Sequence, residues 1–298
     1  MSKIKVLNAK RCVAVFMAAL MMILSLSYTK DNQIDVIAAS KTRTYWRHNY
    51  SSPNLASYYQ YDLTVNSINN SRTIFPPANN MKKDKDTSVV RINGGSYWGT
   101  GFIVGDHEIA TAAHCVYSRS DDKFLKFKIS IIDENNNVIK TIPPHYVHIN
   151  KNFEMASEGN FSPYDYAMIY VDEDLSEYGA FNLGVALDIY ADNNGSVIVS
   201  GFPNPDYYPD DYKGKEWGIR FKAAGNIIGK TSDAFQYNAD TAGGCSGGPV
   251  YIEEKIIVNG ELHEYKTAIA INKTSGNWGA RMTAEVLKLY GGNPYKTE

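Results

Sequence analysis

The chain has 298 residues, of which 44% are apolar and 21% charged, and a formal net charge of −2. That length and composition allow one large β domain, or a two-lobed one with a substantial core, and exclude a wholly disordered chain. Residues 40–298 carry 25 basic against 30 acidic side chains with no basic stripe, so a nucleic-acid partner is not expected.

At the N-terminus, Lys3, Lys5, Lys10 and Arg11 precede an apolar run from Cys12 to Leu26. A basic start and an apolar stretch of this length read as a secretory signal, with a retained anchor as the alternative. Small residues at Ser25-Leu26-Ser27 and at Ala38-Ala39 offer cleavage points, so residues 1–39 form the expected signal, ending somewhere in 27–39. Export follows, with attachment to the cell surface if the segment is kept and no stable membrane association once it is removed. Residues 40–86 are polar and irregular, with Pro76-Pro77, an Asn-rich stretch from Asn66 to Ser71 and a charged run from Lys82 to Asp86. They read as a linker or as a pro-segment removed on maturation, which leaves 87–298 as the working domain.

From Ser88 onward the texture becomes short β-type runs: Val89–Ile92, Gly101–Val104, Phe127–Ile132, Tyr166–Val171, Val197–Ser200, Trp217–Ala223 and Thr267–Ile271. Turn-forming clusters separate them, at Asn93-Gly94-Gly95, Asn135–Asn137, Asp192–Gly195 and Pro203–Pro209, and Asn259-Gly260 marks a hairpin. Many short strands between regular turns predict an all-β sandwich or barrel. A helix is expected near the C-terminus, capped by Thr283, with Val286, Leu287 and Tyr290 on its apolar side. Beyond the first 39 residues the cysteines are Cys115 and Cys245, too few for a disulfide framework in an exported domain.

Three segments carry chemistry. The first is Asp240-Thr-Ala-Gly-Gly-Cys-Ser246-Gly-Gly-Pro-Val250. A serine nucleophile needs a tight turn and backbone N–H groups aimed at the oxyanion, and flanking glycines supply both. The second is Gly99-Thr-Gly-Phe-Ile-Val-Gly followed by Thr111-Ala-Ala-His114-Cys115. A strand ending in small residues brings one imidazole to a crowded site, and an imidazole titrates near neutrality. The third is Tyr164-Asp165-Tyr166-Ala167-Met168-Ile169, a carboxylate at the mouth of an apolar strand. Asp172 and Asp174, in the acidic turn that follows, read as solvated charges.

These segments resemble the serine, histidine and aspartate motifs of chymotrypsin-like serine peptidases, and they occur in that family's order, 51 and 81 residues apart. The resemblance covers about 88–292 and is closest to the bacterial glutamyl endopeptidase-like branch. It implies two six-stranded antiparallel β-barrels with a C-terminal helix, and the triad His114, Asp165 and Ser246. The backbone N–H groups of Gly244 and Ser246 would form the oxyanion hole, and protein or peptide substrates would be cleaved by a monomer without cofactor or metal. By the same resemblance Asp240, Thr241, Ala270 and Asn272 fall at the pocket for the residue before the scissile bond (P1). Thr241 agrees with a preference for Glu or Asp there. Ala270 stands where glutamate-specific relatives hold a histidine, and Asp240 stands where trypsin-like relatives bind Lys or Arg, so both preferences remain open. Cys245 replaces the aspartate that ion-pairs with the freed N-terminus in digestive-type relatives, so that activation step does not transfer. Cys115 lacks its usual partner on the strand Tyr97–Gly101, and two free thiols are expected.

Other chemistries fit less well. Gly244-x-Ser246-x-Gly248 also matches the nucleophile elbow of α/β-hydrolases, but there Asp and His follow the serine, and only 52 residues remain here. His145 and His148 lack a zinc-protease pattern and read as strand or loop residues. A non-catalytic binding or adhesion protein on the same scaffold is the rival reading, against which the complete triad speaks.

Overall fold

The computed structural model describes residues 45–49, 56–59, 82–150, 152–153, 163–215, 218–258, 261–273, 277–283 and 286–287. The expected signal segment lies outside them, as do most of 40–86, the Asn259-Gly260 turn and the greater part of the C-terminal helix. All described residues belong to the unit Thr42–Glu298.

The fold is mostly β, in two lobes. The first lobe draws on β1 (Tyr45–Asn49), β2 (Ala56–Tyr59), β4 (Val89–Asn93), β5 (Trp98–Gly105), β6 (Glu108–Thr111), β9 (Lys128–Ile132), β10 (Val138–Ile142), β11 (Tyr146–Asn150) and β12 (Ala167–Tyr170). Two other short elements precede or interrupt this series: β3 (Lys82–Lys83), and a small hairpin of β7 (Tyr117–Ser118) and β8 (Lys123–Phe124). The second lobe contains β13 (Asn182–Leu183), β14 (Ser196–Gly201), β15 (Phe221–Lys230), β16 (Ala234–Tyr237), β17 (Pro249–Val258), β18 (Glu261–Asn272) and β19 (Trp278–Arg281). One short helix, α1 (Asp188–Asp192), precedes β14.

In the second lobe β18, β17, β14, β15, β16 and β19 pair in sequence, and β19 returns to β18, which closes a six-stranded barrel. Val197, Val199, Ile227, Phe235, Tyr237, Val250, Ile269 and Ala270 fill its interior. The first lobe, expected to form a second barrel, is not closed by any strand pairing among the described residues. Its nine strands run as one open sheet in the order β10-β9-β4-β5-β6-β12-β11-β1-β2. Closure requires the outer strands to find each other, and here the free edge of β11 is taken by β1, which pairs with it over five residues. β1 and β2 come from the segment read above as irregular. Its Tyr45-Trp46 and Tyr58-Tyr59 are the aromatic pairs that favour a pleated strand. At the expected C-terminal helix, Val286 N–H donates to Thr283 Oγ1 at 3.3 Å and Leu287 N–H to Thr283 O at 2.9 Å.

The turn clusters fall where their chemistry places them. Gly95 between β4 and β5, Asn136 between β9 and β10 and Asn194 after α1 all have positive φ, which suits glycine and asparagine. The two lobes share apolar packing: Phe202, Tyr251, Ala268, Ile271, Ala280 and Met282 belong to the same buried cluster as Phe102, Ile103 and Ile169.

Residues 82–88 tie the lobes together. β3 pairs with the start of β15. Asp84, 3% exposed, accepts from Ser200 Oγ at 2.5 Å and lies 3.7 Å from the fully buried Arg220 guanidinium. Arg220 in turn donates to the carbonyls of Val89 and Ile132 at 3.3 and 3.2 Å, in the first lobe. Two residues on, Asp86 forms an ion pair with Lys266 on β18, and Lys266 also reaches Ser88 Oγ at 2.8 Å.

Candidate active site

The histidine arrives on a short rigid lead. β6 ends at Thr111, two fully buried alanines follow, and a 3-10 turn from Ala113 to Cys115 presents the ring of His114. Small residues are required here because the nucleophile turn lies directly against the lead. A Cβ on Gly247 would stand 2.2 Å from Thr111 Oγ1 and 2.9 Å from the Ala112 nitrogen.

Asp165 sits just before β12, whose pairing with β6 carries it alongside the histidine turn. Its carboxylate, 5% exposed, accepts from His114 twice: Oδ2 from the ring Nδ1–H at 2.8 Å and Oδ1 from the backbone N–H at 3.0 Å. The backbone contact fixes the carboxylate, and the ring contact fixes the tautomer, leaving the Nε2 lone pair free for proton transfer. Burial raises Asp165 and depresses His114, but their mutual attraction outweighs it in both. Asp165 is lowered below the usual carboxylate value, and His114 is held well above 6.5. The imidazole keeps 29% of its side-chain surface exposed.

Ser246 is 3% exposed, and its Oγ has no hydrogen-bond partner among the described residues. The turn around it is built from two carbonyl-anchored bends: Cys245 N–H donates to Ala242 O, and Gly248 N–H to Cys245 O, both at 3.0 Å. Gly244 and Gly247 have φ of +97° and +85°, and a Cβ on Gly244 would meet Phe202 O at 2.3 Å. The backbone thus occupies a conformation and a space that glycine alone tolerates. Neither Gly244 N–H nor Ser246 N–H donates to a protein group among the described residues.

The two cysteines are free and buried in different clusters, Cys115 against the first lobe and Cys245 with Tyr208, Ile219 and Phe221. Cys115 Sγ donates to Ser246 O at 3.4 Å, and an ideal Cβ on Gly99 would lie 2.7 Å from that sulfur. The position facing Cys115 is therefore held by a glycine, and the thiol fills the room a side chain would need. Apolar burial pushes Cys245 up to about 12, so it stays a neutral thiol.

The four residues assigned to the P1 pocket have unlike surroundings. Thr241 Oγ1 donates to Asn277 Oδ1 at 2.7 Å, and Asn277 Nδ2 donates to Ala239 O at 2.7 Å. Asn272 is fully engaged, accepting from Tyr237 OH and donating from Nδ2 to Cys245 O at 2.9 Å. Ala270 packs in the barrel interior, and Asp240 is half-buried. Of the remaining histidines discussed above, His145 pairs with the exposed Asp172 at 2.8 Å, and His148 is buried on β11.

Sequence reasoning missed Lys273. It follows Asn272, is 1% exposed, and has Asp165 and Asp233 as its electrostatic partners. Desolvation drives it down to about 8 against their pull. A lysine in Asn-Lys-Thr at a strand end carries no signal that separates it from a solvated charge; only its neighbours reveal it.

A sequence model of the trypsin-like peptidase domain matches residues 99–258, more than half of the chain. The chain is 26% identical over 205 residues to a glutamyl endopeptidase of Bacillus licheniformis; the alignment covers 67% of this chain and 60% of that relative's length. A solved structure described as a Glu endopeptidase in complex with MPD aligns with a TM-score of 0.58 at 16% identity, over 72% of this chain and 95% of that one. That likeness is one of fold.

Proposed function

The chain belongs to the trypsin-like peptidase family and is glutamyl endopeptidase-like, and on that premise we propose that it is an exported endopeptidase acting through an acyl-enzyme on Ser246. In this reading His114 Nε2 takes the Ser246 proton as Oγ attacks the scissile carbonyl, then returns it to the leaving amine. Asp165 holds the tautomer and stabilises the imidazolium. The N–H groups of Gly244 and Ser246 receive the oxyanion, and their freedom from protein partners leaves them available for it. Ser246 Oγ has no hydrogen-bond partner among the described residues, and in this reading its bond to His114 forms when substrate fills the site.

The observation that carries the proposal is the doubly bonded His114–Asp165 pair at the end of the Thr111-Ala112 lead, which abuts the glycine turn of Ser246. A binding module has no need of a buried carboxylate aligned on a partly exposed imidazole. Asp240 and Thr241 form the accessible wall of the P1 pocket in this proposal, with Asn272 behind them and Ala270 contributing space. Maturation fits best with cleavage upstream of Lys82, because Asp84 and Asp86 are bonded into the folded body.

Profiling the purified chain on a peptide library tests the reaction and its specificity together. Cleavage after Glu or Asp supports the glutamyl preference, and cleavage after Lys or Arg assigns P1 recognition to Asp240. No cleavage by wild type, or equal cleavage by Ser246→Ala, overturns the proposal.

A further inference from the structure

Thr100 is a fully buried residue of β5, in the first lobe, yet most of its polar bonds cross to the second. Its N–H donates to Ser246 O at 2.8 Å. Its hydroxyl donates to Gly244 O at 2.8 Å and accepts from Phe202 N–H at 3.0 Å. Its carbonyl accepts from Thr111 Oγ1 at 2.7 Å, on the strand that leads to His114. Every polar atom of this one residue is engaged, and the partners are the nucleophile turn, the histidine lead and the end of β14.

The hydroxyl contact is the informative one. Gly244 contributes an N–H to the oxyanion site, and because a glycine moves freely between positive and negative φ, its φ of +97° leaves the orientation of the flanking peptides to the groups that hold their carbonyls. The peptide before it is held by Asn204 N–H, which donates to Gly243 O at 2.6 Å. Because amide N–H and C=O point oppositely across a planar peptide, fixing Gly243 O fixes the direction of Gly244 N–H. The peptide after it is held by Thr100 Oγ1 on Gly244 O. That bond fixes the peptide between the two oxyanion donors, with Cys245 N–H turned back toward Ala242 O; the Ser246 N–H lies one peptide further on, where Cys245 O accepts from Gly248 N–H at 3.0 Å and from Asn272 Nδ2 at 2.9 Å. Without it, one of the two carbonyls at this freely rotating glycine loses its anchor.

We propose that Thr100 is a positioning residue for the oxyanion site, whose hydroxyl holds the Gly244 carbonyl so that the Gly244 and Ser246 N–H groups face one point. The proposal rests on Ser246 being the nucleophile. It also accounts for the placement of Thr111, which braces the Thr100 carbonyl from the histidine side and so couples the two halves of the site through one buried hydroxyl pair. Asn204 acts through its backbone and cannot be removed by side-chain substitution, so Thr100 is the testable arm.

The test compares wild type, Thr100→Ser, Thr100→Cys and Thr100→Val, with kcat expressed per active site titrated by a fluorophosphonate. Losing one oxyanion donor lowers kcat by roughly 10²–10³, and a donor displaced but still present should cost about 10- to 100-fold. The expected result is that loss for Thr100→Val, with KM within a few-fold, Thr100→Ser close to wild type and Thr100→Cys between them. The Ki of a peptide aldehyde, which forms a tetrahedral oxyanion adduct, should rise in parallel with the loss in kcat. A merely structural role would lower the titratable fraction and the melting temperature while leaving kcat per site unchanged, and that outcome overturns the proposal. So does a Thr100→Ser variant no better than Thr100→Val. If Thr100→Val does not fold, the Cys and Ser variants decide by the same ordering. Failure of wild type to label or cleave would instead refute the peptidase reading itself, which separates the two failures.

Discussion

Gly247 marks how little freedom the site allows. With φ at +85° and its missing Cβ 2.2 Å from both Thr100 O and Thr111 Oγ1, Gly247→Ala must move either the nucleophile or the histidine lead. A displacement of about 1 Å can cost about 100-fold in rate, which is the loss expected in kcat/KM for this variant in a steady-state peptide assay. His114 gives a pH signature. The general base works when neutral, and the Asp165 charge holds its pKa well above 6.5, so kcat/KM should rise with pH through a midpoint above that value. Asp165→Asn removes the charge and the tautomer lock; the midpoint should fall and kcat drop by about 10⁴. Lys273 titrates near 8 in the native state against a usual 10.5. Below pH 8 both states are protonated and the folded chain bears the full cost of burying the charge, roughly 3 kcal/mol. Between 8 and 10.5 the unfolded chain binds the extra proton, so this group adds stability as pH rises. Denaturant melts across that window should show the rise in wild type and its loss in Lys273→Met. The proximity of His114 to Asp165 was readable from two short motifs and their order. Thr100 and Lys273 were not, because the one looks like any strand threonine and the other like any surface lysine until their partners are known.

At the scale of elements, the strap from Lys82 to Ser88 carries a consequence for stability. Arg220 is fully buried, and Asp84 is the carboxylate beside it. Asp84→Ala leaves a guanidinium unpaired in the interior and should destabilise by about 3–5 kcal/mol in urea unfolding, whereas Asp84→Leu with Arg220→Met should cost far less than the two single changes combined. An Asp84→Ala variant as stable as wild type would mean that the pair does not clasp the lobes. This strap was hidden in the sequence by its own composition: Lys-Lys-Asp-Lys-Asp reads as a solvated charge run, and only the opposite charges at 220 and 266 make it a buried element. β15 was misjudged for a related reason. The sequence suggested Trp217–Ala223, of which Trp217 lies outside the described residues, whereas the strand runs Phe221–Lys230 through Gly225, Asn226 and Gly229. Those turn-favouring residues are tolerated because β14 and β16 supply hydrogen bonds on both sides, and the strand is bulged between Ile227 and Gly229. By contrast Val89–Ile92 and Val197–Ser200 matched β4 and β14 closely, since there the apolar run and the bounding turns agree.

For the whole molecule, the all-β class and a closed six-stranded barrel could be anticipated from short strands, regular turns and family-like motifs, while the open nine-stranded sheet of the first lobe could not. Barrel closure depends on which edges meet, and the edge beside β11 is filled by a segment with no alternating apolar pattern of its own. The functional account rests on one arrangement, in which β5, β6 and β12 from the first lobe and the Ala242–Gly248 turn from the second converge on Ser246. Its most direct test is to react the purified chain with a fluorophosphonate and locate the adduct by peptide mass mapping. The account predicts a single adduct on Ser246, absent from Ser246→Ala and formed far more slowly by His114→Ala. An unmodified wild-type chain, an adduct on another residue, or a His114→Ala variant that reacts at the wild-type rate would contradict it.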